Sequence, residues 1–462
     1  MELKEIIIKP NIKIILESLK NYDYNNTPKG FEKEEFISLK HNFRQRIYKK
    51  LGMKEMNEKI FITGHQPELF HPGVLYKDIV LYKLSKKENA IPLHLIIDTD
   101  INELFYYSAK KKVSFLELSK FEYFQNDKKT FAFDNIPGEE RSLIISILEE
   151  QNKEIEHFIP SGRISKIKDI IDTYISGLKE GKQFYKLNEE IRESFLNEKG
   201  LEIHSFYFSE FIDSPEYRSF LEHICVNKDE FIRIYNESLE KYRKDHKIKN
   251  SAQPLPNLEK DELPFWKLNR ETGIREKVYN INPNDFIIPR AITLTMFLRL
   301  FSCDLFIHGI GGARYEEVSE NIIKEFFEFE LPPHLIVSAT MNLVPKSPFN
   351  FDIIDEKDLQ KKIRDLSHSP EKFLPPENEF VIKKRELQKE FSNPDSDKKE
   401  LHKNISKLNE EMKILVKDEI EKTENLLKDY PKYKNNNLVF TERHFPFFYY
   451  DIEELINKQI ED

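Results

Sequence analysis

The chain has 462 residues, of which 39% are hydrophobic and 33% charged, with a net charge of −9 and an isoelectric point near 5.9. That length predicts two or three domains, and the acidic balance argues against a general nucleic-acid-binding role. Two cysteines, Cys225 and Cys303, are too few for a disulfide framework or a thiolate zinc site.

The opening MELKEIIIKPNIKII carries Glu2 and Glu5 and does not read as a signal peptide. An extended start is expected, then a helix over about 32–51 that docks on the first strand. The most informative stretch is 59–103. Lys59 to Thr63 is a short β-branched and aromatic run that ends at Gly64. A polar turn follows, GHQPELFHPG, and from Val74 the apolar residues recur at helical spacing (Val74, Ile79 or Val80, Leu84). A second apolar run, Ile91 to Ile97, ends in Asp98-Thr99-Asp100. A strand–turn–helix–strand unit of this length makes its strands parallel neighbours. In such sheets ligands gather at the carboxyl ends of the strands, where both polar turns lie.

Residues 105–135 alternate polar and aromatic side chains, which suits edge strands or a hairpin. Residues 138–250 read mostly as helices, so 111–250 is expected to be a mainly helical insertion, with GLEIHSFYF rejoining the sheet. After the loop SAQPLP comes ELPFWKLNRETGIREKVYNI, which holds the only tryptophan, Trp266. A helix AITLTMFLRLFS follows, then a strand in DLFIHGIGGARYEE, a helix over about 316–329, and a buried strand HLIVSATMNLV. No apolar run approaches the roughly 20 residues of a spanning helix. Arg299 and Asp304 interrupt the nearest, 292–310. A soluble, cytoplasmic protein with no membrane partner is expected.

From Pro345 the character changes. Leu401, Ile405, Leu408, Met412 and Leu415 are spaced 4-3-4-3, a coiled-coil seam. With the breaker SNPDSD before it, this predicts a helical hairpin, 378–391 out and 397–428 back, and a possible homodimer contact. The aromatic segment after 436 is expected to pack on the sheet domain. The expected division is an N-terminal helical segment 1–56, a Rossmann-like core of 57–110 and 251–345, the insertion 111–250, a coiled-coil arm 346–430, and a C-terminal segment 431–462. The fold class is α/β with a parallel sheet.

Five of the 13 glycines fall in two turns: Gly64 and Gly73, then Gly309, Gly311 and Gly312. A glycine-bracketed turn that opens a helix presents free N–H groups and a positive dipole end, suited to phosphate or carboxylate. Tight-turn geometry alone would also explain the glycines. His65 and His71 flank the first turn. They could donate hydrogen bonds to a phosphate or a developing oxyanion, ligate a metal with Asp98 or Asp100, or simply bond backbone groups. No spacing supports the metal reading, and no metal is predicted. Asp98, Asp100 and Glu103 could bind an amine or ribose, act as a base, or cap the next helix. Arg290, at a strand-to-helix junction, could clamp a carboxylate or phosphate, or form an ion pair. His308 and Arg314 surround the second glycine turn, whose GIGGA lacks dinucleotide-fingerprint spacing. Trp266 could stack on a base or sugar, or belong to the core. Gln66 and Lys77 complete the candidate ligand contacts. The first turn has no Lys-Ser/Thr, so it is not a P-loop, and it lacks the HxGH spacing of a standard adenylating enzyme.

Together these stretches resemble the bacillithiol-biosynthesis cysteine-adding family, the enzymes taken to join cysteine to glucosaminyl-malate. The resemblance is carried by Gly64-His65-Gln66 through Leu69-Phe70, Pro72-Gly73 and Tyr76-Lys77. Asp98-Thr99-Asp100, Pro289-Arg290, Gly311-Gly312 and the charged C-terminal arm also match. The chain departs from the pattern at His65, and its acidic cluster lacks a histidine. The resemblance implies a core like that of class I aminoacyl-tRNA synthetases and nucleotidyltransferases, an amino-acid-joining ligase activity, and ATP or ADP as ligand. An adenylating enzyme that stops at its nucleotidyl product, or a non-catalytic ligand-binding or assembly protein, remain alternative readings.

Overall fold

A computed structural model describes residues 2–54, 57–101, 105–112, 116–122, 132–133, 141–282, 284–343, 355–391, 393 and 396–460. Glu103 and part of the 392–397 breaker lie outside the described residues. The chain divides into two compact units, one of Met1–Ser108, Lys120–Leu343 and Arg443–Asp462, the other of Ala109–Ser119 and Val344–Glu442.

In the first unit β1 (Glu2–Lys9), α1 (Ile12–Asn21) and α2 (Lys33–Lys50) precede β2 (Lys59–His65), α3 (Pro72–Glu88) and β3 (Ala90–Ile96). The helix α3 forms where the sequence punctuates it. His71 caps it, Pro72 fills its first turn, and Asn89 ends it in the left-handed conformation (φ 51°). A ribbon follows, β4 (Phe105–Lys111) with β5 (Leu116–Glu122). The helices α4 (Arg141–Glu154), α5 (Ser161–Lys179) and α6 (Phe184–Asn197) lead to β6 (His204–Tyr207), then α7 (Pro215–Val226) and α8 (Lys228–Asp245). A three-stranded antiparallel sheet of β7 (Leu263–Leu268), β8 (Arg275–Val278) and β9 (Ile287–Pro289) precedes α9 (Ala291–Phe301). The core closes with β10 (Leu305–His308), α10 (Ile310–Phe326) and β11 (His334–Asn342).

The main sheet runs β1-β11-β10-β2-β3-β6, with every pair parallel except β1–β11. Numbered in chain order, the parallel strands β2, β3, β6, β10 and β11 lie as 3-2-1-4-5, the Rossmann order. The chain moves outward from β2 through β3 to β6, then returns to the other side of β2 as β10. The junction of β2 and β10 is therefore the topological switch point. Ile60, Phe61, Ile62 and Thr63 of β2 are fully buried, as a central parallel strand covered on both faces requires. Ile60 and Ile62 share a core with Phe43 and Ile47 of α2 and Phe297 and Phe301 of α9.

Four differences from the sequence reading stand out. The expected extended start, β1, joins the main sheet beside β11, and a helix not expected there, α1, follows it. The helix expected from 316 begins at Ile310, so Gly311 and Gly312 form its first turn. The returning arm is not one helix over 397–428. It is two helices, Lys398–Leu415 and Lys417–Phe440, separated at Val416, whose φ and ψ of −105° and 13° leave the helical range. The seam also stops early: Leu408 and Met412 are buried against Val381, but Leu415 is 51% exposed.

The second unit holds α11 (Glu356–His368), α12 (Glu379–Phe391), α13 (Lys398–Leu415) and α14 (Lys417–Phe440), with α12 packed on α13 and α11 on α14. A short α15 (Glu453–Asn457) ends the described chain in the first unit. No helix of the described residues is long and apolar enough to cross a membrane.

Candidate functional site

A cleft of about 560 Å³ opens at the carboxyl ends of β2, β3 and β10, at the switch point. Gly64, His65, Gln66, Gly73, Lys77 and Asp100 line one side; His308, Gly311, Gly312 and Tyr315 line the other. The first turn of α10 faces it. Gly309 caps that helix without a side-chain hydrogen bond, and its carbonyl accepts from Ala313 N at 3.1 Å. The preceding amides of Ile310, Gly311 and Gly312 have no helical carbonyl to bond. They take no partner among the described residues. Three unpaired N–H groups at the positive end of a 17-residue helix are the arrangement that suits an anion.

Lys77 supplies a cation beside that surface. Its ammonium donates to the Gly64 carbonyl at 2.6 Å, and its stem passes 3.8 Å from the place a Gly309 Cβ would take. Burial pushes it down to about 8, with Arg192 adding to the effect and Asp78 opposing it. Behind Lys77 a buried network crosses α3, β3 and α6. His94 Nδ1 lies 2.6 Å from Asp78 Oδ1, and Arg192 lies 3.4 Å from Asp78 and pairs with Glu189. Burial disfavours ionised Asp78, but His94 and Arg192 outweigh it and keep the carboxyl below its ordinary value.

The two turn histidines separate. His65 lines the cleft, its Nδ1 3.1 Å from the Gln66 carbonyl and its ring 4.8 Å from that of Phe70. Burial, then the Lys77 ammonium, lower its pKa to about 3, so it stays neutral at physiological pH even though part of the ring meets solvent in the cleft. His71 does not line the cleft. Its Nδ1 accepts from Gly73 N at 2.9 Å and its Nε2 donates to the Met341 carbonyl at 2.9 Å, so both ring nitrogens are used in capping α3 onto β11. Gly73 serves the same contact, because a Cβ there would fall 1.7 Å from the Ala339 carbonyl oxygen. This glycine permits a close approach of helix to strand.

The acidic turn also divides. Asp98 is 1% exposed and accepts from Ser209 N at 3.0 Å and from the Ser209 hydroxyl at 2.5 Å. It ties the end of β3 to the segment after β6 and does not line the cleft. Asp100 does, and it accepts from Gln66 Nε2 at 2.7 Å, from Arg275 at 2.9 Å and from the Ile101 amide at 2.8 Å.

Arg290 is displaced from the expected role as well. It is buried, paired with Glu262 at 2.5 Å, and stacked 4.0 Å over the Trp266 ring. Arg275 lies 5.3 Å from the same ring. Trp266 is thus faced by two guanidiniums and is not among the cleft's lining residues, nor is the exposed Arg314. The arginines that reach the cleft are Arg275 and Arg443. Arg443 donates to the Ala339 carbonyl at 3.4 Å and is paired with no carboxylate among the described residues. Nothing local marks it in sequence, since it lies some hundred positions beyond the last core strand, and no motif singles out Arg275.

Glu316, Glu320 and His334 bring three possible metal ligands within 4.8 Å of one another. The Arg299 guanidinium already lies between the two carboxylates, at 3.2 Å from Glu320 and in direct contact with Glu316. A buried cation in that position opposes a second one.

No family model and no curated protein matches the chain. Among solved structures it is similar to tyrosyl-tRNA synthetase from Archaeoglobus fulgidus, at 12% identity over 91% of this chain and 99% of that one, with a TM-score of 0.27. It is similar also to tryptophanyl-tRNA synthetase from Plasmodium falciparum, at 11% identity over 95% of this chain and 96% of that one, with a TM-score of 0.23. A parasite tRNA synthetase with product bound gives 11%, 98%, 96% and 0.26 for the same quantities. The 3-2-1-4-5 order of the parallel strands is what makes the fold Rossmann-like.

Proposed function

We propose that the chain is a ligase-type enzyme whose switch-point cleft binds ATP or a related phosphate-bearing substrate and joins an amino acid to an amine-bearing small molecule. The observation that carries this reading is the unpaired first turn of α10, opening into the cleft beside the Lys77 ammonium. Phosphate oxygens fit there, with Arg443 as a further cation at the rim. Neutral His65, whose Nδ1–H is given to the Gln66 carbonyl, presents Nε2 to the cleft as an acceptor for a substrate hydroxyl or ammonium. Arg275, held by Asp100, offers a fork to a substrate carboxylate. When bound, ATP supplies the activated phosphoryl or adenylyl group; the chain's residues bind, orient and neutralise. Cysteine as the amino acid, and a bacillithiol-type acceptor, follow from the resemblance in the first turn.

A second reading has its own support. Asp98 and Arg290 do not join His65 in the cleft, as a base and clamp at those positions would require, so a site that binds ligand without reacting it would be built the same way. The test is a thermal-shift screen with ATP, ADP, pyrophosphate, amino acids and amino-sugar conjugates, followed by pyrophosphate and phosphate release assays. A ligand that binds the folded state alone raises the melting temperature. The ligase reading expects stabilisation by ATP and release of phosphate or pyrophosphate with an amino acid and acceptor present. Stabilisation without release in any combination favours the binding module, and no stabilisation at millimolar ATP or pyrophosphate removes both.

A further inference from the structure

We propose that His308 is the acid–base group of this cleft, positioned by Glu316, which is itself held by Arg299. The inference rests on the cleft's being a reaction site and adds to it the residue that moves the proton.

Any group with this role must line the cleft, hold a free ring nitrogen towards it, and have a partner that fixes its tautomer. His71 spends both nitrogens on α3 and β11. His94 is buried against Asp78 and does not line the cleft. His65 lines it but has only a backbone carbonyl as partner and sits beside a cation. His308, the last residue of β10, meets all three conditions. Its Nε2 lies 2.5 Å from Glu316 Oε2, in the second turn of α10. The approach is off the angle of a good hydrogen bond, so its pull on the ring is chiefly electrostatic. Nδ1 takes no partner among the described residues, and a Cβ on Gly312 would come within 2.7 Å of it. The glycine therefore keeps the Nδ1 side of the ring open.

Glu316 is 2% exposed, and burial alone would favour its neutral form. Arg299, then His308, outweigh that and hold the carboxyl far below its ordinary range. A carboxylate fixed in this way favours the Nε2–H tautomer and leaves the Nδ1 lone pair on the side of Gly312, a residue that lines the cleft, the logic of an oriented imidazole base. Burial lowers the His308 pKa while Glu316 opposes it, and the neighbouring Arg299 guanidinium and His334 ring add to the lowering, so the ring is neutral at neutral pH. In the step proposed, an ammonium in the cleft gives one proton to Nδ1. The N–H bonding pair becomes the nitrogen lone pair, which attacks a carboxyl carbon activated by ATP as the C–O bond to phosphate or AMP breaks and that group leaves with the bonding pair; the new imidazolium is stabilised by Glu316.

The test uses the full chain labelled with ¹⁵N-histidine, with long-range ¹H–¹⁵N spectra at neutral pH and the His308 signals assigned by their loss in His308→Gln. The expected result is a neutral Nε2–H imidazole whose tautomer ratio shifts in Glu316→Gln, and whose Nδ1 signal moves when sodium pyrophosphate is added. A neutral Nδ1–H tautomer in the wild-type protein overturns the assignment, as does an unchanged ratio in Glu316→Gln. If that variant fails to fold, the wild-type tautomer decides. If pyrophosphate binds by calorimetry and leaves His308 unmoved, the acid–base role fails while the anion site stands. If pyrophosphate does not bind at all, the anion site fails and the role proposed for His308 goes with it.

Discussion

Replacing Lys77 by methionine separates a binding role from a structural one. The side chain is 3% exposed, and burial takes its ammonium from 10.5 to about 8. At 1.36 kcal/mol per pKa unit, that shift costs the folded state roughly 3 kcal/mol at neutral pH. The direction follows from proton binding. Because the folded pKa is lowered, the unfolded chain holds more protons between about 8 and 10.5. The cost is therefore complete below about 8 and fades as pH rises towards 10.5. Methionine has nearly the same length and no charge, so it removes this cost, while the Gly64 carbonyl loses a donor, a loss of about 1–3 kcal/mol. The expected balance at pH 7 is a variant between equal in stability and about 2 kcal/mol more stable than wild type, with the gain shrinking above pH 8. Urea unfolding at pH 7 and 9.5, paired with calorimetric titration of ATP, reads both sides. A variant that loses more than about 2 kcal/mol, or that binds ATP within about twofold of wild type, refutes the assignment of Lys77 to the ligand.

The glycines give a paired test: Gly73→Ala drives a Cβ to 1.7 Å from a backbone oxygen and should cost about 3 kcal/mol or more, whereas Gly311→Ala meets nothing within 4 Å and should change stability by less than about 0.5 kcal/mol in thermal unfolding. His71→Ala loses the α3 cap and leaves the Met341 carbonyl without its donor, so it should lower stability by about 2–3 kcal/mol in urea titration, where unchanged stability would contradict the capping role. With its pKa near 3, His65 should show no imidazole titration between pH 5 and 8 in histidine NMR, and a midpoint in that window would contradict its burial beside Lys77.

The parallel core was legible because its signals are local. Alternating apolar runs, a capped helix with Pro72 and an αL Asn89, and turns at fixed offsets all lie within 45 residues of one another in 59–103. The start of α10 was misplaced because glycine is costly inside a helix, yet in a first turn the amides are unpaired in any case and the penalty is small. Side-chain roles were harder to read for the opposite reason, since their partners are distant. Asp98 is claimed by Ser209, 111 positions later, and Arg290 by Glu262, 28 positions earlier. Both sit at the ligand end of the sheet and look free in sequence. The arginines that do reach the cleft, Arg275 and Arg443, come from a β-hairpin and from the segment after the arm. No periodicity or spacing connects either to the first turn.

The central claim is that an anion binds at the unpaired first turn of α10. A crystal structure of the full chain with a non-hydrolysable ATP analogue tests it most directly. Phosphate oxygens are expected within hydrogen-bond distance of the Gly311 or Gly312 amide, with the Lys77 ammonium turned towards them. An analogue bound elsewhere, or no analogue in the cleft at a concentration that saturates the protein in solution, would contradict it.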